Sequence, residues 1–136
     1  MTVLETAPLA PAVELDPVRR GLVDPAAGCR DLDDVLDRAR TAEAEGAVRV
    51  VVPRDGRHWP ATAQALAVLL ATSSVRVEVP VDPDGWTPEA LARFAAGADR
   101  LGGDRLVVRV LGPTDAAALF AVRVRALWDG ELVVGA

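Results

Sequence analysis

The chain has 136 residues, a formal net charge of −5 and a sequence pI near 4.8, so it fits one domain able to bury roughly two-thirds of its unfolded surface around a single core. An acidic balance with no basic stripe excludes the electrostatic footprint of nucleic-acid or anionic-membrane binding. The lone Cys29 excludes an intrachain disulfide and reads as a free thiol in a loop or at an interface, and no CxxC, HxxxH or HExxH spacing offers a metal site.

Residues 1–12 are small, Pro-containing and aperiodic, and read as a flexible arm; residues 13–136 read as one domain. The arm has neither the basic start nor the apolar segment of a signal peptide, and no stretch reaches the roughly 18 consecutive apolar residues of a membrane span, so a soluble cytoplasmic protein is expected. Lys, Asn, Ile and Tyr are absent while Ala, Val, Arg, Asp and Gly abound, which suggests a GC-rich bacterial genome.

A short first strand is predicted at residues 13–15, then a loop over 16–29 punctuated by Pro17, Gly21, Pro25 and Gly28. From 31 to 45, Leu32, Val35, Leu36, Ala39 and Ala42 recur at helical spacing, with Asp31, Asp33 and Asp34 at the favourable N-terminal end and Gly46 as the stop. The other charges of that helix, Asp37, Arg38, Arg40, Glu43 and Glu45, read as a solvated face. Strands are predicted at 48–52, 75–81 and 106–111, with a possible fifth at 132–134; helices are predicted at 60–71, from the cap pair Thr87–Pro88 to Gly102–Gly103, and at 114–128. This alternation predicts an α/β fold of parallel β/α units, about four to five strands and four helices, with right-handed crossovers.

Strands covered on both faces read as continuous apolar runs, and these do not. Arg49 stands with Val51, Arg76 and Glu78 stand opposite Val75, Val77, Val79 and Val81, and Arg105, Val107 and Arg109 share a side. One face of the sheet is therefore polar, and Glu78 is in reach of Arg49 or Arg109 on neighbouring strands.

Ligands of α/β folds sit at the C-terminal ends of strands. There the sequence offers Asp16, then Arg54, Asp55, Arg57 and His58, then Asp82 and Asp84, then Gly112. His58, the only histidine, is a candidate proton carrier or a solvated loop residue. Arg54 and Arg57 suit a phosphate or sulfonate, although no Gly-rich cradle accompanies them. Asp82-Pro83-Asp84-Gly85 reads first as a turn. Trp59, Trp86 and Trp128 either stack on a planar ligand or seal core edges.

The segment TSSVRVEVPVDPDGWTPEALARFAAGADRLGGDRLVVRVLG, residues 72–112, resembles the luciferase-like flavin-dependent monooxygenases, nearest the alkanesulfonate monooxygenases. Thr72, Arg76, Pro83, Pro88, Ala92, Arg93, Ala95, Ala96, Asp99, Arg100, Leu101, Gly103, Arg105, Leu106 and Val110 fall on the family pattern, and the likeness extends back through VVPRDGRHWPATAQALAVLLATS and weakly forward into RALWDGE. The resemblance implies a (β/α)8 barrel, FMN and oxygen-dependent oxidation. A closed barrel needs about 200 to 250 residues, so the expectation is a truncated, N-terminal half of a TIM-type barrel.

The resemblance also implies that the polar face is the former barrel interior. Asp82 stands where the family carries an Arg at the barrel mouth, Glu78 where it carries an apolar residue, Arg109 where it carries Asn, and His58 where the sulfonate monooxygenases carry a Cys near the flavin. The family's later His, Arg and Tyr residues and its flavin-phosphate site fall in the second half of the barrel. An unpaired buried charge costs several kcal/mol, so an open half-barrel with a wetted concave face is expected.

Three functions follow: a non-catalytic binding or assembly module; a flavin-dependent monooxygenase active as an oligomer or with a partner; and a small anion-binding regulatory module using Arg49, Arg76 and Arg109. His58 and Asp82 are the catalytic candidates, Arg54, Arg57, Arg76 and Arg109 those for binding FMN or another anion. Exposed sheet edges predict a homodimer or a partner subunit, through the second and third helices used between subunits in the family, or by two copies closing a pseudo-barrel.

Overall fold

The computed structural model describes residues 12–15, 27–54 and 59–135. In chain order the elements are β1 (Ala12–Glu14), α1 (Ala27–Ala44), β2 (Arg49–Val51), α2 (Ala61–Ala71), β3 (Arg76–Val81), a 3-10 turn at Pro83–Gly85, α3 (Pro88–Gly102), β4 (Leu106–Val110), α4 (Thr114–Arg125) and β5 (Glu131–Val134). All pairings are parallel and the sheet order is β1-β2-β3-β4-β5. Strands that follow one another in space as in sequence make part of a barrel, whereas a doubly wound sheet reverses at a switch point.

The caps read from sequence hold. The Thr87 hydroxyl accepts from the Ala90 amide at 3.1 Å, Pro88 opens α3, and Gly103 closes it in the left-handed region at φ 68°. Gly46, at φ 86°, follows α1. Two expectations near α1 fail. The predicted loop ends early, because residues 27–29 already belong to the helix, and Asp31, Asp33 and Asp34 therefore lie beyond its first turn; Asp31 is buried. Cys29 accordingly sits in a helix and not in a loop. The rest of the loop and the arm up to residue 11 lie outside the described residues.

The period-2 pattern sorts the strands into two faces. Val50, Val52, Val77, Val79, Val81, Leu106, Val108, Val110, Leu132 and Val134 join one core with Val35 and Ala39 of α1, Val68 and Leu69 of α2, Leu91 and Ala95 of α3, and Ala117, Ala121 and Val124 of α4. Packing is close: a Cβ on Gly102 would lie 2.7 Å from Leu69 Cδ2, so the absence of a side chain there lets α3 approach α2. No described helix is long and apolar enough to cross a membrane.

Candidate functional site

The opposite, concave face carries Arg49, Glu78, Val107, Arg109 and Val133. Val107 and Val133 are fully buried yet stand outside the helix-backed core. Among them lies an ion cluster. Arg109 Nε donates to Glu78 Oε2 at 2.7 Å and its Nη2 to Oε1 at 3.4 Å, while Arg49 Nη1 approaches Glu78 Oε1 at 3.4 Å. The sequence-based pairing of Glu78 with Arg49 or Arg109 is met by both arginines at once.

The expected wetness of this face is overturned. Arg49 is 2% exposed, Glu78 3% and Arg109 8%. Pairing reduces the need for water: a carboxylate forked by one guanidinium and touched by another tolerates burial that a lone charge would not, although two cations on one anion leave the trio net positive.

Arg76, one pleat nearer the N-terminal end of β3, is partly exposed and paired with Glu131 of β5. Each of the three arginines assigned to an anion site thus faces a carboxylate. Arg105, expected on the concave face, instead precedes β4 and reaches the C-terminal ends of two helices. Its Nε donates to Gly102 O (2.7 Å), Nη1 to Thr72 Oγ1 (3.0 Å) and Val75 O (2.8 Å), and Nη2 to Leu69 O (2.8 Å) and Thr72 O (3.1 Å). A planar cation with fixed donors suits carbonyls left open at a helix C-terminus.

Two carboxylates complete this N-terminal end of the sheet. Glu43, expected on a solvated face, accepts from the Ser73, Ser74 and Val75 amides at 3.0, 2.8 and 3.0 Å and from Ser74 Oγ at 3.1 Å. Those amides, Ser74 foremost, hold its carboxyl down at about 2. Asp99 of α3 accepts from the Leu106 amide at 3.1 Å and from the Trp128 side chain. Burial pushes the Asp99 carboxyl above its usual range, and the Leu106 amide only partly offsets this. Sequence reasoning missed both roles; the Ser73–Ser74 pair, two open amides beside an acid-bearing helix, was the available signal.

At the C-terminal ends of the strands the described groups are sparse. Arg54 is exposed, and Asp82, also exposed, spends its carboxylate on the Asp84 amide at 3.1 Å, capping the 3-10 turn. The Asp82–Gly85 turn is as read from sequence. His58, Arg57 and Asp55 lie outside the described residues, as does Asp16.

Two of the tryptophans seal edges. Trp86 packs on the core beside Phe94, with ring centroids 6.1 Å apart, and Trp128 is buried against Gly130, where a Cβ would meet the indole at 1.7 Å. Trp59 is more exposed, and its carbonyl accepts from Gln64 Nε2 at 2.8 Å. A cavity of about 770 Å3 opens at the N-terminal end between Arg76, Asp99, Asp104, Trp128 and Glu131, and another of about 530 Å3 flanks β1 between Val13, Thr41, Ala42 and Ala47. Neither is at the C-terminal ends. No group of three or more His, Cys, Asp or Glu side chains suited to a metal ion occurs among the described residues.

These elements define a partial (β/α) barrel with a charge-paired interior. Comparison with solved structures places it beside EDTA monooxygenase from Chelativorans sp. BNC1, with a TM-score of 0.69 and 16% identity over 86% of this chain. The chain spans 37% of that protein's length, and at this identity the likeness establishes a shared fold. That shared fold is the one the resemblance over residues 72–112 implies. No family profile and no curated protein sequence matches the chain.

Proposed function

We propose that this chain is a luciferase-like half-barrel, similar to the N-terminal part of the alkanesulfonate monooxygenases, that serves as a binding or assembly module without independent catalysis. The observation that carries the reading is the buried Arg49–Glu78–Arg109 cluster. Flavin oxygenation requires an apolar, water-excluding pocket around the isoalloxazine and its oxygen adduct. Here one inward side chain from each of three adjacent strands, Arg49, Glu78 and Arg109, is committed to the others as a charge. Arg54 and Asp82, at the strand ends, are too exposed to wall off such a pocket alone.

Flavin-dependent oxidation with a partner chain is the second reading, favoured by the structural likeness to a monooxygenase. A barrel mouth completed by another chain would then enclose FMN, with Arg54 and Arg57 as phosphate donors and His58 as proton carrier.

Titration with oxidised and reduced FMN, followed by flavin fluorescence, separates the two. Silence at millimolar flavin is the expected result. Binding at micromolar level by the isolated chain would overturn the non-catalytic reading.

A further inference from the structure

The outward face of α4 differs from those of α1 and α3. On α1 the exposed positions include Asp33, Asp37, Arg38 and Arg40, and on α3 Glu89, Arg93 and Arg100. On α4, Leu119 is 56% exposed and Val122 54%, with Leu127 just past the last turn at 57%. A period of 3.6 residues aligns Asp115, Ala116, Leu119, Val122, Arg123 and Ala126 in one stripe. Exposed leucines taken singly are ordinary, and α2 and α3 carry one each, Leu70 and Leu101. A continuous stripe on one helix calls for a cover.

We infer that this stripe is a self-association surface, on which α4 of a second copy lies antiparallel. This rests on the assembly reading above and names its partner. The charges along α4 choose the occupant and its direction. Asp115 lies in the first turn and Arg123 in the last, with Leu119 midway between them. A twofold axis across the helix at Leu119 brings Asp115 level with Arg123 of the second copy, twice over, and sets Leu119 against Leu119. Opposed helix dipoles favour the same direction, whereas a parallel arrangement would place like charges side by side. Such an isologous contact closes on itself and leaves no further copy to recruit. Shielding the apolar stripe supplies the affinity, and the end charges supply register and direction.

The test is the mass of the full chain in solution at several concentrations, by sedimentation or light scattering, with circular dichroism confirming that each variant stays folded. Wild type is expected to dimerise. Leu119→Asp is expected to raise the dissociation constant by roughly tenfold or more. Asp115→Arg and Arg123→Asp singly should each weaken the dimer by at least about threefold, and the double exchange should restore it, because both pairs are rebuilt with signs reversed. A dimer indifferent to Leu119→Asp overturns this surface and leaves assembly by another surface standing. Failure of the double exchange to restore overturns the antiparallel arrangement. A wild-type protein that is monomeric at every concentration overturns both the surface and self-assembly, while the flavin titration still decides the catalytic question separately.

Discussion

The two faces of this sheet solve burial by different means. Between the sheet and the helices, valines, leucines and alanines interlock in one cluster, so stability there is mainly a matter of area and fit. On the concave face the charges of Arg49, Glu78 and Arg109 are nearly as inaccessible, and their stability is a matter of mutual pairing. Low exposure therefore does not by itself identify an apolar core. Glu78→Ala breaks the comparison most sharply: it leaves two buried guanidiniums without their shared carboxylate and is expected to cost about 3–5 kcal/mol in urea unfolding. The combined Arg49→Met, Glu78→Leu, Arg109→Met variant removes every charge and should recover most of that loss. If Glu78→Ala costs less than about 1 kcal/mol, solvent serves the arginines and the concave face is wet after all.

A second contrast runs along the strands. Arg105, Glu43 and Asp99 tie the N-terminal end to three helices, whereas at the C-terminal end Asp82 holds only its own turn. Arg105→Met is expected to lower stability by about 3 kcal/mol, because carbonyls of Leu69, Thr72, Val75 and Gly102 lose a charged donor. Arg105→Lys should rescue little, since one ammonium cannot span that fork. Asp82→Ala should cost less than about 1 kcal/mol, the worth of a single exposed cap. Equal losses at the two ends would erase the distinction.

The same contrast explains what was legible in the sequence. The alternation of valines and the Thr87–Pro88 and Gly103 signals gave the strand faces and the bounds of α3, because backbone geometry demands those residues locally. The resemblance over residues 72–112 rests partly on Thr72, Asp99, Gly103, Arg105 and Leu106, and these prove to be the cap and clamp residues of the N-terminal end. What the pattern carries in this chain is therefore a fold signature, and the strand ends where chemistry would reside contribute little to it. The dry concave face was missed for a different reason. Strand period gives which residues share a side but not whether two guanidiniums converge on one carboxylate, which depends on the stagger between β2, β3 and β4.

The smallest expected effects lie within the N-terminal end itself, where its two acids respond to pH with opposite signs. Glu43 has its pKa lowered from 4.5 to about 2 in the folded chain, so its contribution is present above about 4.5 and is lost as pH falls toward 2. Asp99 has its pKa raised above 3.8 by burial, so its contribution is fully present below 3.8 and is lost as pH rises through the elevated value. Glu43→Gln should flatten the acid limb of the stability profile, with the difference from wild type shrinking between pH 4.5 and 2. Asp99→Asn keeps an acceptor for the Leu106 amide without the desolvated charge, so its stability relative to wild type should rise as pH rises above 3.8. Urea midpoints across this range read both at once. Parallel profiles for the two variants would mean that the Ser73–Val75 amides and the setting of Asp99 do not distinguish the charged from the neutral acid, and the clamp at this end would then reduce to Arg105 alone.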